Sequence, residues 1–108
     1  MGRHKSYISY NVPRSVVNVV KSMCADYDRR AIIISSGRAL SERYKEMNGA
    51  IDRGLEFIEV GIRRTILDDI HLGRGYGYSP ASAILSKNAY YSRKNKAIYL
   101  IAEELRLM

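Results

Sequence analysis

An apolar residue returns every three or four positions from Leu40 to Ile70: Leu40, Tyr44, Met47, Ile51, Leu55, Ile58, Ile62, Ile66 and Ile70. This is the period at which side chains of an α-helix fall on one face, and it holds too long to fit strands. The run is either one long helix or two helices with a short joint. Gly49, Gly54 and Gly61 each cost about 0.5–1 kcal/mol relative to Ala inside a helix, which favours a weak point. The joint is expected near Phe57 to Gly61, with one helix over about 39–57 and the next over about 59–72. Gly49 and Gly54 have a second reading, as sites where two helices approach closely.

The same period governs the chain before this run. Asn11 is placed to cap a helix that has Pro13 in its first turn. Val16, Val20, Met23, Tyr27, Ala31 and Ile34 line one face, and Val17, Val19, Cys24 and Ile33 widen it toward more than one neighbour. The β-branched stretch Ala31 to Ile34 has no partner strand elsewhere and is read as helix. Ser35-Ser36-Gly37 ends it, Gly37 being free to take the left-handed conformation of a helix stop. Residues 1–12, with Arg3, His4, Lys5, Tyr7 and Tyr10, show no periodic pattern. They read as a flexible basic arm, either an untethered terminus or one that reaches into a DNA minor groove. The expected organisation is this arm and one all-α domain over 13–108, a helical front at 13–57 followed by a C-terminal helix-turn-helix region at 58–108.

Three glycines in His71-Leu72-Gly73-Arg74-Gly75-Tyr76-Gly77-Tyr78 mark a connection. No strand precedes them, so a phosphate-binding loop is not supported. Tyr76 and Tyr78 are expected to staple this loop to the core or to touch a DNA backbone. Ser79 then caps a short helix from Pro80 to about Ala83 or Leu85, and Ser86 caps a last helix running to about Leu105. On that helix Tyr90, Lys94, Ala97, Ile98, Ile101, Ala102 and Leu105 share one side, and Lys87, Asn88, Tyr91, Ser92 and Asn95 share the other.

Charge gives this last third its functional reading. The chain of 108 residues has a formal charge of +7, which favours polyanionic partners. From Ile70 through Ala102 there is no Asp or Glu at all. A helix with a basic, Asn- and Tyr-bearing front half suits an element that enters the major groove by its N-terminal turns. Lys87 and Asn88 stand in the first turn, Asn having the geometry to pair with adenine. Tyr91, Ser92 and Asn95 follow, while Arg74, Arg93, Lys94 and Lys96 are expected on phosphates. The competing reading is a solvated basic face on a C-terminal helix.

The segment SKNAYYSRKNKAIYLIAEEL, Ser86 to Leu105, resembles the second helix of the sigma-factor region-4-like motif found in ArpU/RinA-type prophage regulators. Tyr90 holds the apolar position, and Ala97 and Ile101 the packing positions. Two features depart from the pattern: the preceding helix is short and lacks acidic or Gln residues, and Lys94 stands where an apolar residue is expected. The resemblance implies a transcriptional regulator of late phage genes that acts on double-stranded DNA, with RNA polymerase as a further partner.

Catalysis finds little support. His4 and His71 have no partner at a recognisable spacing. On a helix Asp68 and His71 converge while Asp69 points elsewhere, too few groups for a metal site. No cofactor and no enzymatic activity are expected. Cys24, the single cysteine, excludes an intramolecular disulfide and reads as a small buried residue. No secretory leader and no apolar run able to span a bilayer is evident, so a cytoplasmic protein with no membrane partner is expected. The wide apolar faces suit either a monomer core or a homodimer. The alternative function is a helical adaptor that binds RNA polymerase or a phage protein without touching DNA.

Overall fold

The computed structural model describes residues 10–38 and 41–108. Among them the chain is all-helical: α1 (Arg14–Ala25), α2 (Tyr27–Ser35), α3 (Ser41–Leu55), α4 (Val60–Leu72) and α5 (Lys87–Glu104), with short 3-10 turns at Tyr76–Tyr78 and Pro80–Ala83. α5 lies against α3, α3 against α2, and α1 against α4. The core between them is built from Val20 and Cys24 of α1, Ile51 and Leu55 of α3, Ile62, Ile66, Leu67 and Ile70 of α4, and Tyr90, Ala97, Ile98, Ile101 and Ala102 of α5. Burial pushes the Cys24 thiol up to about 12, so at neutral pH it is an inert filler.

The long apolar stripe divides where the glycine-weakened period suggested. α3 ends at Leu55, Ile58 is buried, and α4 begins at Val60. Arg63 holds the joint by donating to the carbonyls of Ile58 at 2.7 Å and Glu56 at 2.6 Å. The three glycines have different uses. A Cβ on Gly54 would stand 2.9 Å from the Ile101 backbone nitrogen, so this position permits the close approach of α3 and α5. A Cβ on Gly49 would meet only the Arg53 side chain, and one on Gly61 would meet nothing.

The front departs from expectation in two ways. The first helix is not continuous: it breaks at Asp26 (φ −98°, ψ 7°), and α2 sets off anew. Arg30, almost completely buried, bridges the break. Its guanidinium donates to the Met23 carbonyl released there and, at 2.7 Å, to Asn48 Oδ1 on α3. Asn48 Nδ2 donates in turn to the Tyr27 carbonyl at 3.1 Å. Asn11 is also not the cap. The Pro13 carbonyl accepts from Val16 and Val17, both at 3.0 Å, so the cap position falls on a residue with no side-chain acceptor. Asn11 instead adopts φ 45°. The expected stop at Ser35-Ser36-Gly37 is present: both serine hydroxyls donate back to carbonyls of α2, and Gly37 has φ 70°.

Of the basic arm, residues 1–9 lie outside the described residues, as do Ala39 and Leu40. Tyr10 stacks on Tyr99, ring centroids 5.0 Å apart.

Candidate nucleic-acid interface

Ser86 starts the last helix as its sequence position suggested. Its backbone is extended, and its hydroxyl accepts from the Ala89 N–H at 3.1 Å. Ser79 acts likewise one segment earlier, accepting from Ala81 N–H at 3.0 Å. The element between these two caps has room for one turn only. The Ala81 carbonyl takes both the Ile84 and Leu85 N–H groups, and the chain then extends into Ser86. The expected first helix of a helix-turn-helix is therefore a single 3-10 turn, Pro80–Ala83.

At the start of α5, Lys87 and Asn88 are exposed and make no side-chain hydrogen bond or ion pair among the described residues. No acidic residue stands in this first turn, whose free N–H groups carry partial positive charge. Two large apolar side chains of the preceding connection are exposed: Tyr78 is 85 % exposed and Ile84 69 %. Tyr78 was expected either to staple the loop or to touch a DNA backbone; Ile84, in the connection, was not singled out by the helical pattern.

One turn further, the polar residues of α5 face the protein. Tyr90 is fully buried, and its hydroxyl donates to Asp69 Oδ2 at 2.8 Å. Burial, then that bond, raises the phenol above its usual range. The other Asp69 oxygen accepts from Arg74 Nε at 2.6 Å. Lys94 Nζ donates to the Arg74 carbonyl at 2.6 Å and lies 5.8 Å from the Tyr90 ring centre. Burial holds the Lys94 ammonium below its usual range, against the attraction of Asp69. Tyr91 also serves this loop: its hydroxyl accepts from the Tyr76 N–H at 3.1 Å, and Tyr76 donates to the Leu85 carbonyl at 2.7 Å. The glycine-rich connection is thus tied to α4 and α5 by Asp69, Tyr76, Tyr90, Tyr91 and Lys94. Tyr76 is the staple foreseen; Tyr78 is not.

Other cations of the segment are similarly placed. Arg93 makes a two-point contact with Glu59 at 2.8 and 2.6 Å, and this guanidinium holds the Glu59 carboxyl down at about 2. Lys96 Nζ sits 4.7 Å over the Phe57 ring. Asn95 turns toward α1, where it lines a cleft with Val17 and Arg14. Ser92 is half-buried. Of the nine residues expected at DNA, the fold gathers Arg74, Tyr91 and Lys94 around the glycine-rich loop, sends Arg93, Asn95 and Lys96 to other partners or faces, half-buries Ser92, and leaves only Lys87 and Asn88 both exposed and unpartnered.

Asp68 lies 3.4 Å from His71 Nε2 and 3.1 Å from Arg64 Nε, while Asp69 is turned inward. The side chains that share a helical turn thus belong to two different networks. No helix among the described residues is long and apolar enough to cross a membrane. No family model matches this chain, and no significant match is found among curated proteins or solved structures.

Proposed function

We propose that this protein is a DNA-binding regulator that enters the major groove with the first turn of α5. One observation carries the reading: Lys87 and Asn88 stand exposed and unpaired on a helix N-terminus, inside a stretch free of acidic residues from Ile70 to Ala102. An ammonium there meets phosphate oxygens, and the amide offers a donor and an acceptor to a base edge. The network of Asp69, Arg74, Tyr90 and Lys94 fixes the base of α5, so the probing turn rests on a rigid support. The resemblance of Ser86 to Leu105 to ArpU/RinA-type prophage regulators gives transcription as the setting. The short turn at Pro80–Ala83 makes the docking different from a two-helix motif.

Selection of bound sequences from a random duplex pool tests the proposal. Enrichment of a motif is expected, with palindromic half-sites if the protein binds as a homodimer. Lys87→Ala should lower the log–log salt slope by about 0.9, the contribution of one neutralised phosphate, and Arg93→Ala should leave it nearly unchanged. Absence of any enriched motif rejects the reading. The second reading, an adaptor for RNA polymerase or a phage protein, is favoured by Tyr78 and Ile84, which expose apolar surface in the connection that leads into α5. An adaptor retains its partner when Lys87 and Asn88 are both alanine and loses it when Tyr78 and Ile84 are.

A further inference from the structure

A cleft of about 440 Å³ opens on the side of the molecule formed by α1 and the middle of α5. Among the described residues Tyr10, Val12, Val17 and Ile98 supply apolar wall, and Asn11, Arg14 and Asn95 supply polar groups. Small-molecule sites typically run from about 300 to 1,000 Å³, mostly apolar with a few convergent polar groups. Three features give this cleft a charge preference. Arg14 makes no ion pair among the described residues, and no carboxylate lines the cleft there. The first turn of α1 has no side-chain cap and no acidic residue, since its cap position is Pro13. Asn95 Nδ2 is covered from solvent and has no hydrogen-bond partner, a condition that folded proteins rarely keep.

We infer that this cleft binds a small organic anion, an oxyanion head on a compact apolar body. Arg14 receives the head as a charge-assisted pair. Rotation of the Asn95 side chain brings its orphaned N–H₂ onto the same head, and the body lies against Val12, Val17 and Ile98. The inference goes beyond DNA binding and does not depend on it, because Lys87 and Asn88 take no part. Arg14 and Asn95 come from different helices, so an occupant bridges α1 to the helix that carries the proposed DNA contact.

The test uses the full ¹⁵N-labelled chain, with phenyl phosphate and benzoate as probes, and inorganic phosphate and phenol as half-probes. Either whole probe should shift the Asn95 side-chain amide and Arg14 Nε signals saturably, and the stronger of the two names the head as phosphate or carboxylate. Arg14→Ala, at an exposed site, should weaken binding at least about tenfold, the loss typical of a hydrogen bond to a charged group. Asn95→Asp should abolish it by repulsion, and Lys87→Ala should leave it unchanged. No saturable shift at Asn95 or Arg14 overturns the inference. So does full retention in Arg14→Ala, or binding of either half-probe as tight as that of the whole molecule.

Discussion

The first turn of α5 and the two turns that follow it have similar compositions and opposite roles. Lys87 and Asn88 face water with nothing to hold. Arg93 and Lys94, a short way along the same helix, are engaged by Glu59 and by the Arg74 carbonyl. The helical rotation accounts for part of this, since Lys94 shares the side of Tyr90 and Ala97. The remainder comes from what is packed opposite: α4 and the glycine-rich loop reach the second and third turns, leaving the first turn clear. A basic stretch on one helix therefore divides into a support and a probe.

The largest effect that separates them is expected at the buried end of the support. Asp69→Ala strips the partner from Tyr90 and Arg74 together and should destabilise the fold by about 3 kcal/mol, read from the urea midpoint. Lys87→Ala should move that midpoint by no more than about 0.5 kcal/mol, as for surface sites without partners. Equal losses in the two variants would end the distinction between support and probe.

Next in size is the seat of α5 on α3. Gly54→Ala places a methyl group against the Ile101 backbone and should cost about 1–3 kcal/mol, the range of overpacked cores. Gly61→Ala, in a helix with open space around it, should instead stabilise by about 0.5–1 kcal/mol. Thermal melts of the two variants should move in opposite directions. If Gly54→Ala is neutral, the close contact between these helices is not what positions the probing turn.

The smallest effect is a pH dependence at the edge of the support. The Arg93 guanidinium holds Glu59 at about 2, below its ordinary value of 4.5. A carboxyl lowered on folding contributes in full above its unfolded value, and the contribution fades as pH falls through the window from about 4.5 to about 2. Wild type should therefore exceed Glu59→Gln in stability at about pH 5.5, with the difference vanishing toward about pH 2, measured as paired urea midpoints. The pair is exposed, so added salt should narrow the same gap. A gap that persists at low pH would assign Glu59 a role other than its charge.

Much of the architecture was legible in the sequence because it rests on local rules. The period of Tyr44 to Ile70, the caps Ser79 and Ser86, and the stop at Gly37 depend on residues within a turn or two of one another, and the structure places the corresponding elements close to where that pattern put them. The break at Asp26 was not legible. An apolar face running from Val16 to Ile34 has no interruption in it, and the break is accompanied by a bond from Arg30 to Asn48, a contact between two helices. The site was legible only at its tip. Charge pattern marked nine residues as available, but availability depends on carboxylates and carbonyls brought in by folding. Glu59 reaches Arg93 across a helix joint, and the Arg74 carbonyl reaches Lys94 from a loop. Ile84 escaped notice, and Tyr78 was read with Tyr76, for the opposite reason: an apolar residue in a connection looks like core until the core is seen to close without it.

By itself, then, the sequence determined that this chain is built of amphipathic helices, where most of them begin and end, and that its last third is rich in cations without nearby acids. Only the tertiary structure decided which of those cations are free, because a hydrogen bond joins groups that are close in space. The distance between α5 and the loop, the joint and α1 is set by packing, not by position along the chain.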